Sequence, residues 1–162
     1  MKRAHRLYLF RRQLGIFALF SFFFNGVVGW LLYQPLTLPW TGVIVGTDAL
    51  IVIFVTAALI GPAIMAHGVQ KIRRAQLPPV ARRSRSRAWI QWLPTGAVAR
   101  SAVIALAVAV VVVPLALGLL AIVDGGDVNP TQFVLIRAIL AAGVAGVMAA
   151  VFAWIGLVEA SD

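Results

Sequence analysis

Four residues of this chain place polar or unusual chemistry inside long apolar stretches: Asn25, Asp48, Pro114 and Arg137. Asn25 lies about eight residues below one end of its apolar run, Asp48 and Arg137 about five below theirs, and Pro114 about nine. At 1.5 Å per helical residue, all four fall within roughly 7–14 Å of the same membrane interface. A lone ionised side chain at such depth costs ~2.5–3.5 kcal/mol on insertion scales, so these residues take partners and mark function. Opposite charges at equal depth predict a buried Asp48–Arg137 pair, to which Asn25 donates a further hydrogen bond. Pro114 cannot donate to the carbonyl of Val110, which leaves an acceptor free in the same layer. Such a group suits two roles. One is a structural clamp; the other is a titratable gate in which Asp48 works against Arg137 as counter-charge. A competing placement puts both charges at the interface: residues 138–158 alone supply 21 uncharged positions, and Asp48 can cap a helix that starts at Ala49.

Little else here is reactive. His5 sits in the amino-terminal tail and His67 at the end of the second apolar run. The two cannot meet at membrane depth, so neither a metal nor a haem site is expected. Cysteine is absent, which removes disulfides, thiol catalysis and iron–sulfur ligation. There is no HExxH, no glycine-rich phosphate loop, no Ser-x-x-Lys and no pair of intramembrane carboxylates. The sequence therefore predicts a protein that is not an enzyme and holds no cofactor.

The elements that must position the four residues are apolar runs at about 14–33, 43–66, 101–123 and 133–158. A run of ~20 residues crosses the ~30 Å hydrocarbon layer. Hydrophobic residues make up 62% of the chain and charged ones 12%, half of what a soluble domain needs for its surface. The expected fold is all-α: one polytopic domain of four transmembrane helices in a compact bundle. A net charge of +9 would suggest nucleic acid on a soluble face, but these charges lie elsewhere. Five basic residues fall within the first twelve, eight lie between the second and third runs, and Arg137 is the remaining one. Lys/Arg-rich short segments stay in the cytoplasm, which puts the amino terminus, the loop at about 67–100 and the carboxyl terminus there. The first run is longer than a signal h-region and no Ala-x-Ala follows, so it reads as a retained helix. Twelve arginines against two lysines in an Ala/Val-rich chain hint at a GC-rich bacterial genome.

Glycine at 68 is a common helix stop and predicts the end of the second helix there. Trp30, Tyr33 and Trp40 mark one interface, and Trp89, Trp92 and Trp154 the other, where amphipathic rings suit the headgroup zone. Arg82, Arg83, Arg85 and Arg87, followed by Trp89 and Trp92, form a candidate surface for anionic lipid, at ~1 kcal/mol per basic residue. Small residues recur at helix-packing spacing: Ala138, Ala142, Gly146 and Ala150, with Ala141, Ala145, Ala149 and Ala153 beside them, and Ser21, Asn25 and Gly29 on the first helix. Such stripes let backbones approach closely, either inside the bundle or along a homo-oligomer seam. The two hairpins have the same orientation, and the second member of each bears one charge near its start, as a duplicated hairpin would.

Phe24-Asn25-Gly26 before Trp30, Thr47-Asp48-Ala49-Leu50 opening the second helix, Pro114 in the third, and residues 133–138 with one basic residue opening the fourth form a series. In this series the chain resembles a group of small four-helix bacterial inner-membrane proteins loosely called permease-like. The resemblance spans nearly the whole chain, with Arg137 where the group often has lysine. It implies fold and location and brings no activity. Two functions follow as expectations: a non-catalytic accessory or structural membrane component, which self-associates or binds partner membrane proteins and anionic lipid, or a small ion or solute transporter built on the charge pair.

Overall fold

Helices that are apolar on every side gain nothing by hiding from lipid, so their association depends on how closely their backbones fit. The computed structural model describes residues 3–33, 42–80, 88–123 and 130–161, and nearly all of these are helical, with no strand among them. A short helix α1 (Arg3–Arg6), a π-helical segment (Leu7–Leu14) and α2 (Gly15–Tyr33) follow one another without interruption. Then come α3 (Gly42–Arg73), the single turn α4 (Ala88–Gln91), α5 (Ala97–Val123) and α6 (Pro130–Glu159). Four of these helical stretches are long and apolar enough to cross a membrane. The expected turns at 34–41 and 124–129 lie outside the described residues, as does the arginine run at 82–87.

The helices stand in the spatial order α2–α6–α3–α5. Helix α6 packs along both α2 and α3, α3 also packs along α5, and α5 meets α6 only over a short stretch. The result is a bundle with two central and two peripheral helices. Exchanging the hairpins, α2 with α5 and α3 with α6, leaves this order unchanged.

Helix α6 holds the centre because small residues line two of its faces. Toward α2, a methyl added at Gly146 would stand 3.0 Å from the Leu14 carbonyl oxygen, and one at Gly26 would stand 3.8 Å from the Ala138 Cβ. Toward α3, one at Gly68 would stand 3.0 Å from the Ala153 carbonyl oxygen, while one at Gly156 would collide with the Met65 carbonyl. Phe152, Met148, Ile155 and Leu157 fill the space between and are completely buried. The alanine and glycine stripes of α6 are thus spent on contacts within the chain. Large apolar side chains point outward from the peripheral helices, among them Phe20, Phe24 and Leu31 on α2 and Leu106, Val110 and Ile122 on α5. These are surfaces suited to contact with lipid chains.

Two features differ from expectation, the end of α3 and the amino-terminal lead-in, each for a local reason. Helix α3 does not stop at Gly68; that glycine is a crossing point with α6, and the helix runs on to Arg73. It ends in a Schellman motif: Gln76 N–H donates to the Lys71 carbonyl, Ala75 N–H donates to that of Ile72, and Ala75 takes the left-handed conformation at φ 52°. Helix α5 starts at Ala97, four residues ahead of its uncharged run, as the sequence predicts, and the Ser101 hydroxyl donates back to the Ala97 carbonyl at 2.8 Å. The basic, partly amphipathic lead-in is helical from Arg3 and packs on the bundle more closely than its charge suggests. His5, expected in solvent, is buried and donates from Nε2 to the Pro78 carbonyl at 2.8 Å. Tyr8, expected among headgroups, is buried and stacks on His67.

Further contacts gather at the same end. Val80 N–H donates to the Ser161 hydroxyl at 2.8 Å, and Arg100 at the start of α5 pairs with Glu159 at the end of α6. Both described ends of the chain and the segment after α3 therefore meet at one basic end of the bundle.

If backbone approach sets α6, Gly156→Ala should be strongly destabilising, because the obstacle is backbone rather than a movable side chain. Overpacking of this kind costs about 1–3 kcal/mol or more. Gly143→Ala meets nothing within 4 Å and should leave the melting temperature in detergent unchanged.

Candidate functional site

Near the end of the bundle opposite the basic one, the chain buries two full charges. Asp48, in the second turn of α3, and Arg137, in the second turn of α6, are each only 9% exposed. Their Nε–Oδ2 distance is 2.7 Å. Neither group faces outward, and Asp48 lies inside α3 rather than capping it. Both helices are central, and their opposed positions near the far end bring the charges face to face.

The pair is completed by α2. The Tyr33 hydroxyl donates to Asp48 Oδ1 at 2.8 Å, so both carboxylate oxygens accept a hydrogen bond. Arg137 Nη1 donates to the backbone carbonyl of Asn25 at 2.9 Å, and its guanidinium carbon lies 5.7 Å from the centre of the Tyr33 ring, within cation–π range. Phe133 closes over the same ring edge-on at 5.3 Å between centroids. Gly29 leaves the guanidinium its space, because a methyl there would stand 3.3 Å from Nη1. One ion pair thus links three helices.

Two expectations are corrected. Asn25 joins the layer by its carbonyl, not its side chain: the carboxamide nitrogen turns back to the Ser21 carbonyl and hydroxyl, each at 3.0 Å. The Ser21 hydroxyl in turn donates to the Ala141 carbonyl at 3.0 Å, tying α2 to α6. Pro114 is exposed on α5. Val112 and Ala116, two residues to either side, face the site instead, because two steps along a helix turn through about 200°.

Sequence reasoning assigned Tyr33 to an interface belt and missed its bond to Asp48. The signal was there: Ser21, Asn25 and Gly29 repeat every fourth residue, and one more step reaches Tyr33.

Beside the pair lies a cavity of about 50 Å³ between α3, α5 and α6. Asp48 and Arg137 form its polar wall; the rest is apolar, including Ile53, Ala116, Phe133 and Val144. A water needs some 10–15 Å³ and two to four polar partners, so a small guest fits against the charges and nowhere else in the cavity. Among the described residues no group of acidic or histidine side chains is arranged to hold a metal. Of the lipid candidates, Trp89 and Trp92 are exposed, Trp92 almost fully; Arg82, Arg83, Arg85 and Arg87 lie outside the described residues.

No protein-family model, no curated protein and no solved structure matches this chain.

Removing one partner from a buried pair costs about 3–5 kcal/mol, because the other charge is left uncompensated. Asp48→Asn and Arg137→Gln should each lower the unfolding midpoint in detergent, and the double variant should lose clearly less than the sum of the two. Tyr33→Phe, which deletes one hydrogen bond to a charged group, should cost about 1.5–3 kcal/mol. Strictly additive losses in a double-mutant cycle would deny the coupling.

Proposed function

We propose that this chain is a non-catalytic integral component of a bacterial cytoplasmic membrane, an accessory or structural protein that self-associates or binds partner membrane proteins and anionic lipid. In this reading Asp48–Arg137 is an interhelical clamp rather than a working gate. The observation that supports it best is how the pair is held: both carboxylate oxygens accept, and two guanidinium nitrogens donate, within the chain. A carboxylate that must exchange protons or ions with water needs a wet route. Beyond the pair, the adjoining cavity offers only apolar walls.

The basic end belongs in the cytoplasm. Thirteen of fourteen basic residues fall in the amino-terminal segment and from the last turn of α3 to the first turn of α5, and the positive-inside rule then places the amino terminus, the 67–100 region and the carboxyl terminus inside.

A second reading, a small ion or solute transporter of permease-like type, draws on one observation: the cavity touches both charges of the pair. The two readings separate in liposomes. The purified protein should pass neither protons, sodium nor potassium, and Asp48→Asn should change nothing. A pH-dependent flux that Asp48→Asn abolishes would establish transport instead. Orientation is tested with Arg85→Cys in intact cells: an impermeant thiol reagent should fail to label it until the membrane is opened.

A further inference from the structure

We propose that the groove between the π-helical segment and the end of α3 binds the phosphate of an anionic phospholipid headgroup. This rests on the lipid-contact part of the function proposed above and gives it a defined site built from other residues than the arginine run at 82–87.

The groove is an open cavity of about 440 Å³. Arg11 and Arg12 line it from the π-helical segment, and Lys71 and Gln76 from the end of α3. Leu7 and Leu77 supply apolar wall, and Tyr8 forms its floor. The Lys71 ammonium donates to the Gln76 carboxamide oxygen, which ties these two groove residues together. The Tyr8 hydroxyl and the Gln13 side-chain oxygen are both fully buried without a hydrogen bond of good geometry, and Gln13 is the hydroxyl's polar neighbour within the chain. A buried hydroxyl left unmatched costs about 1–3 kcal/mol. An acceptor oxygen entering the groove would recover that cost.

Charge balance calls for the same ligand. The chain has five acidic residues. Asp48 is taken by Arg137 and Glu159 by Arg100. Asp124 and Asp127 fall between α5 and α6, in the connection at the opposite end. Only Asp162 remains for the other twelve cations, so Arg11, Arg12 and Lys71 must be neutralised from outside the chain.

Depth selects a lipid over a free anion. Arg12 stands 21 residues before Tyr33, and Lys71 stands 23 residues after Asp48, the two residues joined by a hydrogen bond at the far end. Along a helix these separations come to about 30–34 Å, one hydrocarbon thickness. The cations therefore stand at headgroup level, with leucines where the glycerol and the first acyl carbons begin. The π-helical winding contributes as well. It sets Tyr8 and Gln13 five residues apart on one buried side while Arg11 and Arg12 remain exposed, an arrangement of the kind π-turns provide at functional sites.

The test uses the purified full chain in detergent, titrated with phosphatidylglycerol and read by native mass spectrometry. The wild-type protein should retain one phosphatidylglycerol tightly. Arg12→Gln with Lys71→Gln should weaken that adduct by at least about tenfold, since each basic residue near such a surface contributes ~1 kcal/mol. Arg85→Gln with Arg87→Gln should leave it within about threefold. Tyr8→Phe removes one oxygen and no packing carbon, so it should fold as well as wild type yet bind the lipid several-fold more weakly. Inorganic phosphate at millimolar concentration should not displace the lipid. Unchanged affinity in both the Arg12/Lys71 and Tyr8 variants would overturn the site, as would equal losses from the groove and loop pairs. Displacement by inorganic phosphate would overturn the lipid as ligand. Loss from the loop pair alone would overturn the groove while sparing general lipid contact, and no adduct for any form would overturn both.

Discussion

Two opposite charges enclosed in apolar surroundings hold only if every polar atom around them finds a partner, and that constraint organises this bundle. Water cannot make up a missing hydrogen bond at this depth, and the desolvation of each ion is offset only by close, well-directed contacts. Asp48 and Arg137 meet the demand by recruiting α2, through the Tyr33 hydroxyl and the Asn25 carbonyl. The register of three helices is thereby fixed at one end. A helix turned by one residue, or slid by one turn, would leave a bare ion in the bilayer. Dispersion between apolar helices tolerates small errors; an unpaired charge does not. That difference is what the proposed clamp role draws on, in the manner of buried ions that set register elsewhere.

At the other end the constraint is steric. Gly68 and Gly156 allow α3 and α6 to come within backbone contact, and the Arg100–Glu159 pair and the His5–Pro78 bond fasten the peripheral segments there. A charged lock at one end and a close crossing at the other define α3 and α6 as the rigid core. Helices α2 and α5 flank it with their large apolar faces turned outward. The helix order reads the same when the hairpins are exchanged, and the two charges face each other across the centre of that arrangement. Asp48 and Arg137, 89 residues apart in the chain, occupy matching second-turn positions on their helices. A duplicated hairpin whose copies took opposite charges at one site would arrive at this geometry.

Much of this was legible in the sequence. The four spans follow from run length and lack of charge, and the pairing of Asp48 with Arg137 follows from equal depth and opposite sign. Other features were hidden for physical reasons. Gly68 reads as a stop because glycine ends many helices, yet only the position of α6 reveals that it is a crossing point. Asn25 suggests a side-chain donor, but within a helix its carboxamide reaches the Ser21 carbonyl one turn back more readily than a neighbouring helix. Pro114 has the right depth and the wrong azimuth, and azimuth depends on which face of α5 meets α3. The first fourteen residues were legible as a basic, partly amphipathic segment, but not how far helical winding buries His5, Tyr8 and Leu9 while leaving Arg6, Arg11 and Arg12 outside.

The central claim is that Asp48 and Arg137 are in direct contact inside the bundle. Solid-state NMR on the protein in lipid, with ¹⁵N in the Arg137 guanidinium and ¹³C in the Asp48 carboxyl, measures that contact without altering a residue. A nitrogen–oxygen separation of 2.7 Å requires strong dipolar coupling between the labels. Coupling too weak to detect, with each group exchanging its protons freely with bulk water, would contradict the account.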